Sequence, residues 1–307
     1  MKIYLSKINE SWIVDRVREE WYEYNSSIST ENIKDADLIW IIAPWVWKKT
    51  PKKHLKKKKV ICSYYHFDFE KFGVKERKNF YDLDQYVDEY HVVSEITKKQ
   101  LSGLTEKKIS SFPFWVNQNK WFEINEKIEL RNAFNLSKQD YLIGSFQRDT
   151  EGHDLISPKL SKGPDIFIKI VKEIYSENKN LKVILSGKRR NYIIKNLEEA
   201  NIPYRYFEMA PIDVVNKLYN ILDLYLVTSR VEGGPQAILE CGITKTPIIS
   251  TNVGVAPEIL HKDSIFYGTD YKEAKPNTEY AYTNTLNHTI PTGMDPFIKL
   301  FERFNEN

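Results

Sequence analysis

The stretch Thr228-Ser-Arg-Val-Glu-Gly-Gly-Pro-Gln-Ala-Ile-Leu-Glu-Cys-Gly242 decides how this chain reads. It is preceded by Leu224-Tyr-Leu-Val-Thr228, a short apolar run of the kind that forms a strand buried on both faces. Beyond the glycines an apolar helix is expected, with Pro235 at its first position, where a missing N–H costs nothing. Gly233 and Gly234 let the backbone come close to a ligand, and the first N–H groups of the helix point outward. Together they make an anion site from backbone, suited to a diphosphate and bordered by Gln236. Glu232 and Glu240 lie eight residues apart, one before the turn and one in the helix. They flank one crevice, one placed for a sugar and the other for a ribose diol.

Working outward, strands and helices alternate. Upstream, strands are expected at 141–146, 181–186 (ending at Gly187) and 204–207, with helices at 164–175, 191–200 and 212–222; a strand at 247–250 follows. The first half repeats the pattern, with strands at 2–5, 37–42, 59–65 and 89–93, a helix over 10–24, and Ser94 capping a helix at 95–101. The fold class is α/β, built from two successive Rossmann-like domains. The boundaries read as 1–122, 123–290 and a C-terminal helical segment, 291–307, after a loop-rich 268–294.

Composition narrows the class. Of 307 residues, 41% are hydrophobic and 28% charged, the profile of a globular chain long enough for two cores. The densest apolar window, 37–47, opens with Asp37 and is broken by Pro44, well short of the ~20 residues of a membrane span. The N-terminus has no apolar core of a secretory signal, so a cytoplasmic protein is expected. Cys62 and Cys241 sit in apolar runs and read as reduced core residues rather than a disulfide or metal pair. The net charge is +3, yet residues 48–59 hold eight lysines and no acid, so the remainder is net negative.

Glu232 and Glu240, with Gly242-Ile-Thr-Lys-Thr-Pro-Ile-Ile-Ser-Thr-Asn-Val-Gly-Val-Ala-Pro-Glu258 after them, resemble the C-terminal half of GT-B glycosyltransferases of retaining family 4, or glycosyltransferase group 1. The resemblance implies two domains facing a cleft and a nucleotide-sugar donor. The two carboxylates correspond to the family's E-x7-E motif, which assigns Glu232 to the donor sugar hydroxyls and Glu240 to the ribose. Gly144-Ser-Phe-Gln-Arg148 resembles the family's strand-end glycine and arginine, and Lys162-Gly163 its Lys-Gly at a helix start. Arg148 and Lys162 then become the expected cation pair on the diphosphate, stabilising the leaving group without a metal. In the first half, 60–66 is similar to the family's strand leading to a histidine loop, which places His66 near the donor sugar. Residues 108–122 resemble its interdomain linker. The departures are an insert at 151–161, which holds His153, and Lys7-Ile-Asn-Glu10 where a glycine-rich loop is usual. The C-terminal helix, 295–304, is expected to cross back to the first domain.

The expected activity is transfer of a hexose from a UDP- or GDP-sugar to a glycan, lipid-linked or other acceptor. Two other classes compete: a nucleotide-sugar epimerase of the same fold, and a nucleic-acid-binding protein or DNA-base glycosyltransferase using the lysine run. That run also suits an anionic membrane surface. Asp82-Leu-Asp84 mimics an Asp-x-Asp metal motif, but it sits in an acidic stretch that reads as a solvated helix face, and no metal or cofactor is expected.

Overall fold

The computed structural model describes residues 1–8 and 13–305. The start of the expected first helix and the end of the Lys7-to-Glu10 segment lie outside the described residues. The chain forms two compact units, Met1–Trp115 with Ile290–Asn307, and Val116–Thr289, dividing ahead of the expected 122/123 boundary.

In the first unit the elements are β1 (Ile3–Leu5), α1 (Ile13–Tyr24), β2 (Leu38–Ile41), α2 (Lys52–Leu55), β3 (Lys59–Tyr64), α3 (Val74–Asp84), β4 (Glu89–Val92), α4 (Glu95–Leu101) and β5 (Lys108–Ser111). The second unit holds α5 (Lys127–Ala133), β6 (Tyr141–Ser145), α6 (Pro164–Glu177), β7 (Leu181–Ser186), α7 (Asn191–Glu199), β8 (Tyr204–Phe207), α8 (Ile212–Ile221), β9 (Leu224–Val227), α9 (Gln236–Ile243), β10 (Ile248–Thr251), α10 (Ala256–Ile259), β11 (Ile265–Phe266) and α11 (Thr278–Leu286). The last helix, α12 (Asp295–Glu302), returns to the first unit.

The first sheet is parallel, in the order β1-β2-β3-β4-β5. Its strands read as unbroken apolar runs because both faces are covered. Leu38 and Trp40 join the core shared with α1 and α12, whereas Ile39 and Ile41 join the core that includes Phe80, Leu83 and Leu101 of α3 and α4. On the α12 side, Phe297 lies within 5.3 Å, ring to ring, of Trp40, Phe114 and Trp115.

That sheet also buries a polar chain. The Trp40 indole N–H donates to Ser63 Oγ (2.8 Å), Ser63 meets His91 Nδ1 (2.9 Å), and His91 Nε2 meets the Phe112 carbonyl (2.9 Å). A carbonyl only accepts, so Nε2 carries the proton and Nδ1 accepts from the serine hydroxyl. Burial pushes the His91 imidazole down to about 4, keeping it neutral.

The second sheet, also parallel, runs β11-β10-β9-β6-β7-β8. The first strand of the unit lies in the middle and the order reverses there, with Ile143 beside Leu224 and Gly144 beside Tyr225. This is the doubly wound order, in which ligands bind past the carboxyl ends of the two strands at the reversal, here β6 and β9.

Three local expectations change. Residues 268–294 are not all loop, because Thr278–Leu286 is helical. Its Asn277 side chain caps it by accepting from the Tyr280 N–H (3.1 Å). Few of its residues are apolar, so periodicity is silent. What seats it is Gly242 on α9, where a Cβ would fall 2.1 Å from Thr285 Oγ1. Residues 108–111, expected as linker, form an edge strand, half-exposed and paired with β4. Finally, α9 begins at Gln236, so Pro235 stands one residue before the position expected for it.

Candidate active site

The loops after β6 and β9 carry most of the expected donor residues, and the structure brings them together within the second unit. Lys162 and Gly163 form the turn into α6. Gly163 has φ +61°, and a Cβ there would lie 1.8 Å from the Thr228 carbonyl oxygen at the end of β9. Only glycine permits that approach. The Thr228 hydroxyl donates to the Gly163 carbonyl (2.8 Å), and the backbone N–H groups of Arg230 and Val231 donate to the Ser161 carbonyl (2.8 and 3.0 Å). Arg230 adds a two-pronged ion pair to Asp165 on α6 (2.7 and 2.6 Å). The two loops are thereby fastened to each other across the strand reversal.

On this platform Lys162 Nζ contacts Glu232 Oε1, with both side chains mostly covered. Burial first, then the Lys159 and Arg148 charges, push the Lys162 ammonium down to about 7; the adjoining Glu232 carboxylate acts in the opposite sense. Arg148 is half-buried and pairs with no acid among the described residues. Gln147 links the loops, donating to the Lys162 carbonyl (3.1 Å) and accepting from the Ser229 hydroxyl (3.3 Å). The Gly233 carbonyl lies where a Cβ on Gly254 would come within 2.0 Å, so the β9 and β10 loops also touch through backbone. Gln236, on the first turn of α9, has a buried Oε1 with no hydrogen-bond partner among the described residues.

Glu240 sits on α9, only 7% exposed, and accepts a hydrogen bond from the Tyr219 hydroxyl (2.8 Å). Burial, followed by the Glu240 charge, holds that phenol well above its ordinary range. Gly144 has a packing role: the space its missing Cβ leaves is filled by Leu222, 2.2 Å from where that atom would stand. Gly187 has φ +88° and turns the chain out of β7 beside the Phe146 carbonyl.

Other expected residues lie elsewhere. His66 follows β3 in the first unit, whereas the Lys162–Glu232 pair belongs to the second. His153 is on the exposed stretch 152–157. Asp82 and Asp84 lie on α3, and Asp84 is engaged by the Tyr90 and Thr105 hydroxyls (3.1 and 2.7 Å). Among the described residues no cluster of three or more His, Cys, Asp or Glu could hold a metal ion. Cys62 and Cys241 are buried and unbonded to each other, as expected.

One element of the site had no signal in the sequence. Asp149 and Arg190, both essentially unexposed, form an ion pair (3.1 Å) that joins the loop after β6 to the loop after β7, and Arg190 also donates to Ser145 (3.2 Å). Burial pushes the Asp149 carboxyl up, to about 6, while Arg190 pulls it back. Charged residues beside Arg148 and in Lys188-Arg189-Arg190 read as surface, and only the fold buries them.

These features define a class: two parallel α/β units with an anion-ready crevice at the strand reversal of the second, the fold of the GT-B glycosyltransferases. The chain superimposes over its whole length on HepE of Anabaena, solved with UDP and glucose (TM-score 0.75, 9% identity, 99% of that chain covered). It matches sucrose-phosphate synthase of Thermosynechococcus elongatus over 98% of its length (TM-score 0.70, 11% identity, 80% of that chain). Residues 157–277 match the family described as glycosyl transferases group 1. A curated viral relative, uncharacterized protein 356 of Sulfolobus islandicus rod-shaped virus 1, is 26% identical over 149 residues, 47% of this chain and 40% of the relative. The matched stretch therefore spans less than half of that relative. Among the described residues no helix is long and apolar enough to cross a membrane.

Proposed function

We propose that the protein transfers a hexose from a UDP- or GDP-sugar to an acceptor hydroxyl with retention of anomeric configuration. The observation that carries this reading is the Lys162–Glu232 pair, held with Arg148 on glycine-dependent loops at the strand reversal. In the proposed reaction the bond from the sugar C1 to the diphosphate oxygen breaks. A bond from C1 to the acceptor oxygen forms on the same face, and the acceptor proton passes to the departing phosphate. Arg148 and Lys162 offset the charge that develops on the diphosphate, Glu232 orients the sugar hydroxyls, and Glu240 receives the ribose. The fixed cations take the place of a metal, so turnover is expected to survive chelation by EDTA. The UDP complexes of HepE support a uridine donor.

A thermal-shift screen against UDP, GDP, ADP, CDP and their sugar conjugates tests the donor site. A selective upward shift with one nucleoside diphosphate is expected, and silence with all of them would remove the reading. The affinity should be highest while Lys162 is protonated and fall as the pH rises above about 7. A Lys162→Met variant should lack that pH dependence.

A cytoplasmic location with peripheral contact to an anionic membrane is a second part of the proposal. Its support is the exposed group Lys52, Lys53, Lys56 and Lys57 around α2, none of which forms an ion pair among the described residues. Co-sedimentation with phosphatidylserine vesicles that disappears at high salt is the expected result.

A further inference from the structure

The first unit contains a groove of its own, with His66 among its lining residues. It lies between the short 3₁₀ turn Pro44–Lys49 and α3, over the end of β3, and encloses about 730 Å³. That volume falls in the range of small-molecule sites, roughly 300–1,000 Å³. Its apolar part is aromatic. Tyr64, Tyr65, Phe72 and Phe80 line it, and Trp45 stands at its edge with half of its surface exposed, 5.7 Å ring to ring from Tyr65. The neighbours Val46 and Trp47 are buried in the two cores of the unit, whereas about half of the Trp45 surface faces solvent.

The polar part is mixed. Lys48, Lys75 and Lys78 are exposed, and none forms an ion pair among the described residues. Glu76, Asp82 and Asn79 lie among them. An aromatic wall accepts the apolar face of a sugar ring, carboxylates and amide groups exchange hydrogen bonds with hydroxyls, and three exposed ammonium groups, that of Lys48 also over the Trp47 ring, favour an anion. A planar bilayer does not enter a concave site. A nucleic-acid backbone carries a charge at every nucleotide and would set some of them against Glu76 and Asp82, whereas a saccharide offers those carboxylates neutral hydroxyls.

We propose that this groove binds an acidic saccharide, its rings against Trp45 and Tyr65 and its carboxylate or phosphate on Lys48, Lys75 and Lys78. The assignment rests on the glycosyl-transfer reading in taking that saccharide as the acceptor. The test is calorimetry and tryptophan fluorescence on the full chain without nucleotide, titrated with trigalacturonate, phosphorylated maltotriose and neutral maltotriose. At least one acidic sugar is expected to bind tenfold or more tightly than maltotriose; trigalacturonate and the phosphorylated sugar separate carboxylate from phosphate recognition. The triple variant K48Q/K75Q/K78Q should lose tenfold or more in that affinity, and Trp45→Ala should lose both affinity and the fluorescence change, each with an unchanged melting temperature.

Equal binding of maltotriose, affinity indifferent to these variants, or binding only to phosphatidylserine vesicles or duplex DNA would overturn the proposal, as would no binding at all. A nucleotide shift without saccharide binding would sink this inference alone. Saccharide binding without any nucleotide shift would sink the transfer reading and leave the groove as a saccharide site.

Discussion

Lys162 and Glu232 form one contact between a mostly covered cation and a mostly covered carboxylate, and the proposed reaction depends on it. Truncating one partner leaves the other without its counter-charge in a site built to receive charge. Lys162→Ala and Glu232→Ala are each expected to lower turnover by roughly 10²–10³-fold, the scale of losing one electrostatic stabiliser. Their circular dichroism should match wild type, because the platform is held by Thr228, Gly163 and Arg230. Sugar-nucleotide turnover assays check the point, and a wild-type rate in either variant would remove it from the site. His91 sets a different kind of expectation. In the fold its imidazole titrates near 4, and in the unfolded chain near 6.5. The unfolded state therefore binds the extra proton between those values, so stability is lost as the pH falls from 6.5 through 4, by up to about 3 kcal/mol. Urea midpoints measured across that window should decline with acid, and a His91→Gln variant should show a shallower decline.

Among the elements, α12 supplies Phe297, Leu300 and Phe301 to one of the two cores of the first unit. These side chains cover the face of the sheet that Leu38 and Trp40 present, together with Trp21 of α1. Phe297 is fully buried, so Phe297→Ala is expected to destabilise the protein by about 3–5 kcal/mol, the usual cost of an aromatic-sized cavity. Chemical denaturation reads this directly; a change below 1 kcal/mol, well under that range, would mean the helix is not part of the core. The helix was legible in the sequence from its apolar stripe, as was α9 from the glycine turn before it. By contrast α11 was not, since its stability comes from the room at Gly242 and from one Asn277 cap rather than from a stripe. The edge strand β5 was missed for a related reason: its half-exposed Lys108-Ile-Ser-Ser111 lacks the apolar run that marks a strand covered on both faces.

For the whole molecule, the division of labour between the two units is the feature to test. The residues proposed for the donor, His66 aside, belong to Val116–Thr289, and the aromatic groove belongs to Met1–Trp115 with the C-terminal return. Hydrogen exchange with and without UDP is expected to show new protection in the loops after β6 and β9, around 146–163 and 228–236. Protection confined to the first unit would place the nucleotide elsewhere. The sequence by itself determined the α/β class, the strand–glycine–helix device at 224–242 and the group 1 resemblance, because these depend on local periodicity and on residue types at short spacing. It also pointed to Arg148, Lys162, Glu232 and Glu240 as a set. Only the tertiary structure decided that Gly144 is a packing glycine, that Asp149 and Arg190 are a buried pair, that Asp84 is engaged by two hydroxyls, and that His66 lines a groove of the first unit. Each of those depends on which strands are neighbours and how closely their loops approach, and burial of a charge or the space beside a glycine has no signature along the chain.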